Sequence, residues 1–201
     1  MHANETINGN AEIGGGWRGS RWRLTAWATV VTLILLIPLI AMQFTDEVQW
    51  TPFDFIIMGT LMMGVGVAYE FAMRMTGSTL YRAAVGVALA AGFLLMWVNG
   101  AVGVIGDVDS ANMLFFGVHA VAFIGSVLGS FRPAAMARAM FAAAAVQALV
   151  PFIALAWVPA ADFAPGFGRV LILNSFFIAM WITSAVLFRE AARGSAARPA
   201  A

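Results

Sequence analysis

Hydrophobic positions along this chain gather into six long runs instead of alternating in and out at a short period. The runs cover about 24–43, 52–75, 80–105, 111–131, 135–157 and 170–188, and acidic residues, arginine, proline and glycine collect between them. An α-helix needs roughly 20 apolar residues to cross the hydrocarbon core of a bilayer, and each run meets that length. The pattern predicts an all-α integral membrane bundle of six transmembrane helices. The links are short, so helices that follow one another in the chain should be antiparallel neighbours.

Local signals refine these elements. Residues 1–20 are polar and contain Gly14-Gly15-Gly16, which suggests a disordered tail. The run that follows is too long for the core of a signal peptide and is expected to be a retained first helix. Pro38 lies inside it and predicts a kink or local break. Pro52 suits the first turn of the second helix, and Ser110 is the expected cap of the fourth. The resulting organisation is a tail over 1–20, a transmembrane domain over 21–189 and a basic tail over 190–201.

Composition strengthens the membrane reading. The 201 residues are 62% hydrophobic and only 10% charged, whereas soluble domains carry about 25% charge. Cysteine is absent, which excludes disulfides, thiolate metal sites and cysteine nucleophiles. Lysine is absent as well, so a retinal held as a Schiff base is excluded. The net charge of +1 gives no argument for nucleic-acid binding. Of the eleven arginines, ten fall at the amino tail, the second link, the fourth link or the carboxyl tail, and only Arg169 lies on the other side. Six of the ten acids (Asp46, Glu47, Asp54, Asp107, Asp109, Asp162) lie opposite. The positive-inside rule then puts both termini in the cytoplasm.

Few residues in the runs carry chemistry. Glu70 and Arg74 stand one turn apart on one face of the second helix, the spacing of an intramembrane ion pair; a proton path or a contact to another subunit is the alternative. His119 is the only histidine within a run. A bis-histidine haem within one chain is thereby excluded. The first reading of His119 is an inter-helix hydrogen bond, and a histidine–methionine haem, a chlorophyll-type magnesium pigment, a quinone contact, or a role in proton transfer or substrate binding stays open. Asn99, Gln147 and Asn174 lie in the third, fifth and sixth runs, and with His119 they could form one polar cluster in the outer half. Each amide taken alone reads as helix-to-helix glue. Trp181 sits deeper than an interfacial tryptophan should. Gly125 and Gly129, and Ala135, Ala139 and Ala143, form small-residue rows that let helices approach closely, within the chain or against a partner. Asp107 and Asp109 make a poor cation site without further oxygen ligands. No metal-ligand, phosphate-loop or nucleophile motif is present, and no catalytic residue is assigned.

The segment Trp97-Val98-Asn99-Gly100-Ala101-Val102-Gly103-Val104-Ile105-Gly106, the following Asn112, and Arg132-Pro133-Ala134-Ala135-Met136-Ala137-Arg138-Ala139-Met140, with Gln147, resemble a group of small inner-membrane proteins of GC-rich bacteria. The resemblance covers about the central third of the chain. It implies a bacterial inner-membrane protein of a few helices, with no established activity. It adds Asn112 to the polar cluster and gives weight to Arg132 and Arg138 as cytoplasmic anchors.

Three functions fit these observations. The first is a non-catalytic subunit or accessory of a larger membrane assembly, respiratory or photosynthetic, with other membrane subunits or further copies of itself as partners in the lipid bilayer. The second is a small transporter or channel built on the polar cluster. The third is a haem- or quinone-binding redox protein centred on His119.

Overall fold

The computed structural model describes residues 3–106, 108–163 and 166–196. Its helices are α1 (Ala3–Ala41), α2 (Pro52–Met75), α3 (Thr79–Ala101), α4 (Asp109–Asn112), α5 (Leu114–Leu128), α6 (Pro133–Ala154) and α7 (Phe167–Ala196). Met113 keeps a helical backbone between α4 and α5, so the two make one span. Among the described residues, six segments are long and apolar enough to cross a membrane, as the hydrophobic runs require. Asp107 and Arg198, both used in the charge argument, lie outside the described residues. The chain divides into two compact units, Met1–Arg74 and Met75–Ala201.

The first unit is the antiparallel pair α1 and α2. The backbone of α1 is helical from Ala3, through most of the stretch expected as a tail, since extending a formed helix fixes one residue per hydrogen bond. Only its Arg21–Ala41 portion has the apolarity to cross a bilayer. The helix also continues through Pro38, with the Met42 N–H donating to the Pro38 carbonyl. A capping box starts α2: Asp54 accepts from the Thr51 N–H at 2.7 Å, and the Thr51 hydroxyl takes the Asp54 N–H, with Pro52 in the first turn. The two helices interlock through Trp27. Its indole N–H donates to the Met62 carbonyl at 2.8 Å, and the ring fills a notch left by Gly66. A Cβ at position 66 would stand 2.1 Å from the ring.

The second unit is a four-membered ring of spans. α7 packs between α3 and α6, α5 packs on α6, and α3 returns to touch α5. Neighbours run antiparallel, in the order the short links impose. Gly125 and Gly129 of α5 face Ala139 and Ala135 of α6, where added Cβ atoms would come within 2.8 Å and 2.4 Å of the alanine Cβ atoms. The small-residue rows are therefore used inside the chain. Tyr81, in the first turn of α3, ties three elements at one end. Its hydroxyl donates to the Phe131 carbonyl in the α5–α6 corner at 2.8 Å, and its ring meets Phe188 of α7 edge-on.

Two expectations change. The third helix ends at Ala101 instead of running to Ile105, because Gly103 and Gly106 adopt positive φ angles of 67° and 60° that end the helical ladder. Ser110 does not cap the fourth helix. Val108 is its N-cap, without a side-chain bond, while the Ser110 hydroxyl accepts from the Trp157 indole N–H at 3.3 Å.

The Trp27 notch makes a matched pair of predictions on one helix. Gly64 has nothing within 4 Å of an added Cβ. Gly64→Ala should leave thermal stability in detergent unchanged or raise it by up to about 1 kcal/mol, the gain in helix propensity. Gly66→Ala must push the indole off its carbonyl and should cost about 1–3 kcal/mol despite the same gain.

Candidate functional site

The side chains expected to form one polar cluster separate into three groups of bonds. The first begins where α3 stops. Residues 102–106 turn back so that Val104 and Ile105 are fully buried. Backbone polar groups buried away from water need partners within the protein, and Asn112 supplies them here. Its side-chain oxygen accepts from the Ile105 N–H at 2.9 Å and its amide donates to the Gly106 carbonyl at 2.7 Å. The Asn99 amide in turn donates to the Asn112 carbonyl at 3.1 Å, and the Asn99 side-chain oxygen is buried with no partner among the described residues. Gly103 is indispensable to the turn, since a Cβ there would lie 2.0 Å from the Gly106 carbonyl oxygen and 2.6 Å from the Asn112 amide.

The second group joins α6 to α7. The Gln147 amide donates to the Asn174 side-chain oxygen at 2.6 Å, and the Asn174 amide donates to the Gln147 backbone carbonyl at 3.0 Å. Gln147 is completely buried and Asn174 is 2% exposed. The carbonyl is open for this bond because Pro151 stands four residues on and has no N–H to return. Pro151 was the signal in the sequence for this pairing: a proline inside an apolar helix frees a known carbonyl, and a facing amide has to take it. The Gln147 side-chain oxygen is left without a partner among the described residues.

His119 forms the third group. Its Nδ1 lies 2.9 Å from the Phe115 carbonyl oxygen and its Nε2 lies 2.9 Å from that of Gly92. Both carbonyls only accept, so a singly protonated ring donates to one and turns a lone pair on the other, whereas an imidazolium serves both. Either way the two nitrogens face backbone oxygens. Binding a haem iron or a pigment magnesium would require breaking one of these contacts, so the ring as placed does not fit the ligand role. Trp181 and His119 both approach Gly92: a Cβ there would touch their rings at 3.8 Å and 3.7 Å. Trp181 is buried, as its depth suggested, and its indole N–H has no partner among the described residues.

In the two-helix unit, Glu70 pairs with Arg74 at 3.2 Å as the i,i+4 spacing predicts. It also receives two bonds of 2.8 Å from Arg23 of α1, forked onto both carboxylate oxygens. Glu70 is only 7% exposed while both arginines are exposed, so the carboxylate is the member that depends on the pairing. Sequence spacing could not show Arg23, which is 47 residues away. Arg132 and Arg138 are exposed at the start of α6, apart from the three polar groups; Arg132 supplies the N-cap of that helix. Asp109 is exposed in the first turn of α4. Among the described residues, no three histidine or acidic side chains stand close enough to hold a metal ion.

The dependence of Asn174 on Pro151 can be measured in a double-mutant cycle. Asn174→Ala should cost about 1–3 kcal/mol by leaving the Gln147 carbonyl and amide unpaired. In a Pro151→Ala background the restored backbone N–H takes that carbonyl, and the cost should fall by on the order of 0.5–1 kcal/mol. Equal costs in the two backgrounds would show that the proline does not set up the pair. No protein-family model, curated protein or solved structure matches this chain, so its role has to be argued from these contacts.

Proposed function

We propose that this protein is a non-catalytic, membrane-embedded accessory subunit of a larger assembly in a bacterial inner membrane, with both termini cytoplasmic. One observation carries the reading. The polar side chains placed among the spans of the second unit are engaged in holding backbone and neighbouring helices, as Asn112 holds its turn and Asn174 holds Gln147. They are not gathered into one reaction centre. The first unit supports the assembly part of the reading. Within Arg21–Ala41 only Val31 is buried, and Leu33, Ile37 and Ile40 are exposed, so α1 keeps one face for α2 and presents another to lipid or to another subunit. The arginine distribution supports the orientation.

A photo-crosslinking residue at Leu33 or Ile37, both exposed on α1, tests the proposal in native membranes. The expected product is one defined protein adduct that also co-purifies stoichiometrically in gentle detergent. Adducts to lipid alone, together with a purified chain free of partners, would overturn it.

A second reading, a small transporter or channel, has one observation in its favour. The Gln147 oxygen and the Trp181 indole N–H are a buried acceptor and a buried donor with no partner among the described residues, and a passing polar solute or water would satisfy each. Liposomes carrying the protein should then show a flux of protons or a small polar solute that Gln147→Leu abolishes. Liposomes with no flux above empty controls would remove this reading.

A further inference from the structure

The arginine-rich end of the α6–α7 pair contains a groove of about 480 Å³. Arg138 and Phe141 of α6, Arg189 and Arg193 of α7, and alanines from both helices line it. The alanines provide the space, since none extends beyond Cβ. Arg193 is held by Glu190 one turn back on α7. Arg138 and Arg189 are exposed and make no hydrogen bond or ion pair with another described residue. Two planar guanidinium forks, each able to bind a phosphate through paired N–H donors, therefore face one groove from opposite helices.

The groove is also graded along the helix axis. Phe141 stands one turn further into α6 than Arg138, about 4.5 Å at the rise of an α-helix. Phe141 is thus the lining residue furthest toward the hydrocarbon, while Ala134 and Ala137 on α6 and Ala192 and Ala196 on α7 lie on the terminal side of Arg138 and Arg189. A soluble anion would use only the arginines. A molecule with a phosphate at one end and a hydrocarbon chain at the other would use the arginines and Phe141, and basic pockets between spans at this level suit anionic lipid headgroups.

We propose that this groove is a binding site for an anionic phospholipid, with the phosphate between Arg138 and Arg189 and an acyl chain along Phe141. The site is independent of whether the protein is an accessory subunit or a transporter. The test is native mass spectrometry on the full chain in detergent, with phosphatidylglycerol and phosphatidylcholine supplied in equal amounts. Phosphatidylglycerol should be retained preferentially, and each of Arg138→Gln and Arg189→Gln should reduce that preference by about fivefold. Phe141→Ala should weaken retention of both lipids while leaving their ratio unchanged. Should Arg138→Gln fail to fold, Arg189→Gln alone reads the same ratio, because that side chain is exposed and makes no bond to another described residue. Equal retention of the two lipids, or a ratio unaltered in the arginine variants, would overturn the proposal. So would displacement of the lipid by millimolar inorganic phosphate or an acidic peptide, which would give the groove to a soluble anion or to a protein segment.

Discussion

Pro151 has no N–H to give to the carbonyl of Gln147, and at that depth in a bilayer no bulk water stands ready to replace it. An unmet carbonyl in hydrocarbon costs several kcal/mol, so the position of one proline dictates that a donor must arrive from outside α6. Asn174 supplies it, and the return bond from the Gln147 amide fixes the rotation of both helices at that level. Once α6 and α7 are locked in this register, Trp181 is carried toward His119 and Gly92, Ser184 reaches the Ala84 carbonyl at 2.9 Å, and Phe188 meets Tyr81. The line of contacts along α7 thus follows from a hydrogen bond that α6 cannot make for itself.

Close approach does the remaining work. Lipid tails are as apolar as leucine, so helices in a membrane gain little by hiding apolar surface from one another and rely on tight packing instead. α5 and α6 achieve it with glycine against alanine, and α1 and α2 with a glycine notch for an indole. In both cases the small residue matters for what it leaves out. In the 102–106 turn Gly103 needs both its positive φ and the space, whereas the glycines on helix faces need the space alone.

Much of this was legible in the sequence because it depends on spacing along the chain. Apolar run lengths gave the six spans, the i,i+4 rule gave Glu70 and Arg74, and the small-residue rows were visible as rows. Equal depth proved a poor guide to adjacency. Asn99, His119 and Asn174 lie on three spans, yet each turns to a different partner, because the rotation of a helix about its axis decides which face a side chain takes and run length carries no information about rotation. Arg23 escaped notice for a related reason: it meets Glu70 across a helix pair instead of along one helix. The end of α3 was missed although its signal was present. Gly103 and Gly106 within an apolar run mark a turn that periodicity alone reads as helix.

The Asn112 clamp bears on how the protein is made. A chain is synthesised from its amino end, so α3 and the turn after it reach the membrane before Asn112 does. Until that side chain arrives, the Ile105 N–H and the Gly106 carbonyl lack the partners that make the buried turn tolerable. The 102–106 turn therefore takes its final form only once the following span stands beside it, whereas the apolar Thr79–Ala101 span ends before the turn.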